Sequence, residues 1–167
     1  MEYWDLFNLE GSLIESNHVR GEAIPDGLYH HVVSILVQHQ DGSILIMQRD
    51  FEKELFPGKY EASAGGSILA GETVAAGAKR ELLEETGIEA RELIKVDNRI
   101  DTQYHVFYTD YYTKVTTSKE QVKLQPGETI DYQWVSVENF LQLVEQNEIL
   151  SFNVALLKNK YWHLIKG

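Results

Sequence analysis

Three glutamates within five residues, Glu81, Glu84 and Glu85, follow directly on Arg80 in the stretch RELLEETG. On a helix their i,i+3 and i,i+4 spacings crowd all three carboxylates onto one face. Like charges at these spacings weaken a helix by roughly 0.2–0.5 kcal/mol per pair, and the Arg80–Glu84 pair is the only local offset. Such a face calls for a cation from outside the helix. Clustered carboxylates are hard oxygen ligands that suit Mg²⁺ or Mn²⁺. Mg²⁺ is normally shared between carboxylates and phosphate oxygens, so the cluster points to a small phosphorylated ligand. Gly66 lets the backbone come close to such an ion, and its carbonyl is a candidate further ligand. Arg80 is poised to pair with a carboxylate and hold its rotamer, and Glu72 lies where a helix dipole favours an anion. The competing reading is a solvated acidic face, with Glu72 and Arg80 a structural ion pair. It accounts for the glutamates but not for the glycines at their set distances.

These residues need elements to hold them. Residues 73–86 read as a helix, with Thr73 as N-cap, Gly87 at the C-terminal end, and Val74, Ala75, Ala78, Leu82 and Leu83 on its apolar side. Gly77 costs this helix roughly 1 kcal/mol relative to Ala and suggests close packing. Before it, residues 31–38 and the segment SILIMQR read as strands joined by Asp41-Gly42 in a hairpin, and KYEASAGG reads as one short strand. Residues 93–100 and 103–113 form a strand pair, and IDYQWVSV forms another strand. Residues 139–145 and 152–162 form helices capped by Ser136 and Ser151. At the start, residues 3–8 and Leu13-Ile14 suggest a hairpin, followed by a looser stretch, ESNHVRGEAIPDG. Pro25-Asp26-Gly27 marks the boundary between residues 1–27 and a main domain over residues 28–167. Strands and helices interleave, which predicts a mixed sheet with helices on both faces.

Composition narrows the function classes. The 167 residues suffice for one domain with a sizeable core, and 43 % hydrophobic with 25 % charged residues is ordinary for a folded domain. A net charge of −11 argues against a nucleic-acid polymer or an anionic membrane as partner. With no cysteine, thiolate catalysis, disulfides and Cys-based zinc sites are excluded. No secretory or membrane-spanning pattern is visible, so a cytoplasmic location is expected.

The glutamate cluster belongs to a longer pattern. From Gly66, five residues lead to Glu72, seven more to Arg80-Glu81, then Leu82, one residue, Glu84-Glu85, one residue, Gly87 and Ile88. This resembles the Nudix box, with all nine specified positions filled over residues 66–88. The resemblance extends over residues 29–140 and implies an α/β (α+β) fold, an α/β/α sandwich around a mixed β-sheet. It implies Mg²⁺-dependent (or Mn²⁺-dependent) hydrolysis of a nucleoside diphosphate linked to another moiety. Carried over by position, Glu81, Glu84 and Glu85, with Gly66, hold the metal, and Arg80 sits in the catalytic machinery. A general base outside the box falls to Glu128 in QPGETIDYQW, with Glu120 its competitor and Glu81 itself a third candidate. Tyr104 lies about where some relatives place a tyrosine beside the substrate. The resemblance also leaves a homodimer open.

The leading YWDLF and RGEAIPDGLYHHVV look like the branch related to isopentenyl-diphosphate isomerase. That enzyme's cysteine is replaced here by Gly65, and a metal-binding histidine by Ser67. Isomerisation is therefore not expected, and His30 is expected to be a strand residue with a satisfied hydrogen bond. A non-catalytic binding module is the other alternative, which the intact box disfavours.

Overall fold

The computed structural model describes residues 1–167. In chain order the strands before the first long helix are β1 (Tyr3–Phe7), β2 (Leu13–Val19), β3 (His30–His39), β4 (Ile44–Arg49), β5 (Tyr60–Ala62) and β6 (Ala64–Ser67). Helix α1 (Val74–Thr86) is followed by β7 (Ile94–Asp101), β8 (Val106–Val115), β9 (Thr129–Val135), α2 (Val137–Glu145) and β10 (Ile149–Leu150). The chain closes with α3 (Val154–Leu156), a π-helical stretch at Leu157–Tyr161, and α4 (Trp162–Ile165). No helix is long and apolar enough to cross a membrane.

The main sheet is mixed, as expected. β3 runs parallel to β8 along ten paired positions, and β8 pairs antiparallel with β7. β4 pairs antiparallel with β5 and β9. Alternation along the central strands sends side chains into two cores. Val33, Ile35, Val37, Leu45 and Met47 pack with Ala78 and Leu82 of α1 on one face. Leu36, Ile44 and Ile46 pack with Phe140, Leu157 and Tyr161 on the other. Helices on both faces of a mixed sheet make this the α/β/α sandwich.

Two local expectations change. β3 and β4 do turn at Asp41-Gly42, but they pair only at Gln38–Ile44 and then part. The stretch KYEASAGG is likewise not one strand but two, broken at Ser63, which is fully buried with φ +56°. β5 stays with β4, and β6 crosses to pair antiparallel with β3. The Ser63 hydroxyl stabilises the break: it accepts from Val37 N at 2.8 Å and donates to the Leu45 carbonyl at 2.8 Å. The sheet is therefore split into two halves that diverge from the turn end of β3 and β4.

At the N-terminus the hairpin is longer than expected, because Glu15 to Val19 continue β2 opposite β1. It forms its own two-stranded sheet and docks on the main body. Leu6 is fully buried, Phe7 and Tyr29 exchange backbone hydrogen bonds at 2.8 Å, and Ala70 N and Gly71 N donate to Tyr3 O and Asp5 Oδ2. At the other end α3 is capped by Asn153, whose Oδ1 accepts from Leu156 N at 2.8 Å. Ser151 cannot serve, because its backbone is left-handed at φ +61°.

Candidate active site: a carboxylate cleft beside a glycine strand

Helix α1 begins and ends as its sequence dictates. Thr73 Oγ1 accepts from Ala76 N at 3.2 Å, and Gly87 closes the helix at φ +70° with its N–H on the Leu83 carbonyl. Between the caps, the three glutamates descend from solvent to interior. Glu84 is about half exposed, Glu81 retains 13 % of its side-chain exposure, and Glu85 is buried. They face β6, where two glycines make the approach possible. A Cβ on Gly66 would stand 2.4 Å from Cδ of Glu81, and one on Gly65 would stand 2.6 Å from the Val33 carbonyl oxygen. Position 65 thus has no room for any side chain, including the thiol that an isomerase places there. Gly65 N donates to Glu85 Oε2 at 3.0 Å, tying strand to helix.

Arg80 braces the same assembly. Its Nε and Nη2 grip Glu72 at 2.8 and 2.9 Å, Nη1 reaches Glu81 at 2.8 Å and Glu84 at 3.1 Å, and Nη2 also meets the Ser67 carbonyl at 3.1 Å. Glu72 in turn accepts from Leu69 N at 3.0 Å, and its pairing with Arg80 holds its carboxyl below the usual range. Gly77 finds its reason here: a Cβ would lie 2.4 Å from Ile68 Cδ1, where the loop crosses the helix.

Of the two candidate bases outside the box, Glu128 lines the cleft with Gly66, Glu81, Glu84 and Glu85, whereas Glu120 does not. Glu128 is fixed by a short ion pair with Lys53 and by its carbonyl, which accepts from Asp50 N. Sequence reasoning missed Glu61 on β5. Its side chain is three-quarters buried and pairs with Arg49 at 3.2 Å. Its signal was a lone charge in a strand of small and apolar residues just ahead of the two glycines.

Burial, the proximity of Glu61, and the charges of Glu81 and Glu128 push the Glu85 carboxyl well above the usual range. Burial also raises Glu81 and Glu61, with Arg80 and Arg49 opposing only in part. These carboxylates resist being charged together. As arranged, with Arg80 bridging Glu81 and Glu84, no three of them converge on one point at ligand distance. A divalent cation fits the donor set nonetheless. It would relieve the mutual repulsion at Glu85 and Glu81, it prefers oxygen ligands, and the glycine strand leaves backbone room beside it.

A larger cavity of about 420 Å³ adjoins this cleft of about 100 Å³, and Gly65 and Gly66 form part of both walls. Its lining includes Glu61, Phe56, Arg99, Tyr104 and Tyr108, with the Arg99 guanidinium 4.9 Å from the Tyr108 ring centroid. Arg99 is held by a two-pronged pair with buried Asp110 at 2.7 and 2.8 Å. Tyr104, about half exposed, stands at this cavity. Trp4 instead stacks on His30, with centroids 4.0 Å apart and rings 5° from parallel. His30 does not satisfy the whole of its ring: its Nδ1 is buried without a partner. Burial keeps the ring neutral, with its pKa lowered to about 4.

Comparison with known proteins agrees with this architecture. The NUDIX domain profile matches residues 28–153. The uncharacterized Nudix hydrolase lin0387 of Listeria innocua is 32 % identical over 154 residues, covering 91 % of this chain and 90 % of the relative. The crystal structure of DR0079 from Deinococcus radiodurans has the same fold, with a TM-score of 0.76 at 22 % identity, covering 96 % and 99 % of the two chains. The NUDIX domain of Shewanella oneidensis NrtR, complexed with ADP ribose, superposes with a TM-score of 0.59 at 16 % identity, covering 78 % and 83 %. The filled box, the sandwich that carries it and the matched relatives establish that this chain belongs to the Nudix hydrolase family.

Proposed function

We propose that this chain hydrolyses a diphosphate bond in a small nucleoside-diphosphate-type or related phosphorylated substrate, using Mg²⁺ (or Mn²⁺). The observation that carries the reading is the ladder of carboxylates facing Gly65 and Gly66, with buried Glu85 held by the Gly65 amide. Glu81, Glu84 and Glu85 hold the metal, with the Gly66 carbonyl beside them. When bound, the ion supplies charge neutralisation at the diphosphate and lowers the pKa of an attacking water. Arg80 positions Glu81 and Glu84 and fixes the loop through Glu72. Glu128 is the general base that takes the proton from water, kept near the metal ligands by Lys53 and the Asp50 backbone. The adjoining cavity receives the remainder of the substrate, and the ADP ribose bound by the NrtR domain is one test compound of that size class. A cytoplasmic site of action is part of the proposal.

The test is phosphate or nucleotide release from a panel of nucleoside triphosphates, nucleotide sugars, ADP ribose and prenyl diphosphates, with Mg²⁺ or EDTA. Turnover of at least one compound is expected, abolished by EDTA and reduced at least a hundredfold by Glu84→Gln with Glu85→Gln. Turnover that survives both substitutions would overturn the site.

A further inference from the structure

The carboxylate cleft has two arginines on its wall, and they are differently employed. Arg80, on α1, is bonded to three carboxylates and a carbonyl. Arg20 comes from the end of the N-terminal hairpin, just past β2, and lines the same cleft as Gly66, Glu81, Glu84 and Glu128. Its side chain makes one ion pair, from Nη1 to Glu2, and both members are about half exposed. Nε and Nη2 have no protein acceptor, so most of the guanidinium fork is free.

The hairpin fixes the backbone from which this guanidinium reaches the cleft. Arg20 N donates to the Glu2 carbonyl at 3.0 Å, and its guanidinium lies 6.0 Å from the ring of Trp4, which is itself stacked on His30. Tyr3 and Asp5 accept from Ala70 and Gly71, in the loop that Arg80 and Glu72 organise. Hairpin and box loop are thus joined at their backbones, and Arg20 is set relative to α1.

A diphosphate entering an acidic cleft needs more positive charge than its metal supplies. A planar guanidinium with unspent donors suits phosphate oxygens, which it can meet two at a time. We propose that Arg20 is a substrate-binding residue that grips a phosphate of the substrate, with Glu2 holding its place until the substrate arrives. Glu2 is an exposed partner, and such pairs are weak and easily exchanged. The hairpin then takes part in binding and favours substrates with more negative charge at the end of the diphosphate away from the larger cavity. This inference rests on the diphosphate-hydrolase reading of the cleft.

The experiment measures binding of methylenediphosphonate, a non-hydrolysable diphosphate, to the full chain in excess Mg²⁺ by calorimetry. Arg20→Gln is expected to weaken binding about tenfold, with Arg20→Lys keeping part of the affinity. Glu2→Gln is expected to tighten it about threefold by freeing the guanidinium. The opposite signs are decisive, because a purely structural Arg20–Glu2 clamp would make both substitutions weaken binding together. That outcome, or an unchanged affinity in Arg20→Gln, overturns the role of Arg20. If wild-type binding is absent, or is unaffected by Glu84→Gln with Glu85→Gln, the hydrolase reading itself fails.

Discussion

The carboxylate of Glu81 lies directly over Gly66, so close that a single methyl group there would stand 2.4 Å from its Cδ. Gly66→Ala is therefore expected to push this carboxylate away from β6. Displacements of this size at a reacting centre cost about 10²-fold in rate. The backbone of Gly66 does not need a positive φ, so thermal stability should change little. Steady-state kinetics beside a melting curve will separate the two effects, and a variant with full activity would show that Glu81 does not need its place over the strand.

Arg80→Lys should be nearly as damaging as Arg80→Ala. An ammonium cannot reproduce the fork on Glu72, where two nitrogens sit at 2.8 and 2.9 Å, while also reaching Glu81. A double-mutant cycle with Glu72→Gln is expected to be strongly non-additive, because both substitutions dismantle one unit. Additive losses in kcat/KM would instead mean that Arg80 acts on the chemistry independently of Glu72.

Ser63→Ala leaves two buried backbone groups, Val37 N and Leu45 O, without the hydroxyl that serves both. The expected loss is about 3 kcal/mol, which for a chain of this size lowers Tm by roughly 10 °C. Calorimetric unfolding will check it.

His30 makes acid stability predictable in sign. Its pKa lies near 4 in the folded chain, chiefly through burial, against 6.5 when exposed. The unfolded chain therefore takes up a proton first as pH falls. The stabilisation is complete above pH 6.5 and is lost progressively toward pH 4, by about 3 kcal/mol at full protonation. The groups around the ring oppose its charging: His31, Arg20 and His18 each disfavour it. His30→Phe keeps an aromatic face for Trp4 and should flatten the fall in Tm between pH 6.5 and 4. His18 carries the opposite sign, since Glu15 at 2.8 Å raises its pKa. Its contribution disappears as pH rises, so Glu15→Gln distinguishes the two.

What the residues disclosed in advance was chiefly local. Thr73 and Gly87 bound α1 because capping is settled within four residues, and the box glutamates share a face because helix geometry requires it. The two-faced sandwich followed from interleaved strands and helices. The breaks depended on distant partners. Ser63 turns left-handed in a stretch that looks like one strand because its hydroxyl is wanted by Val37 and Leu45, far along the chain. Asn153 rather than Ser151 caps α3 because the backbone at Ser151 is already turned. In the site, Glu128, one of three candidate bases, lies in the cleft with the box glutamates. Glu61, Lys53 and Arg20 come to the neighbourhood of the cleft from three separate segments, and only Glu61 carries a local signal of it.

Arg80, Glu72, Leu69 N and the Ser67 carbonyl brace the loop to the helix through bonds made within the box itself. The segment from Gly66 to Gly87 thus carries its own internal bracing, in addition to the pairing of β6 with β3 and the hairpin's hold on Ala70 and Gly71. Loops beyond it are free to change length and composition while the carboxylates stay registered, so the chemistry can be inherited unchanged as the substrate drifts. The same independence explains why a sequence can proclaim its reaction and keep silent about the molecule on which it acts.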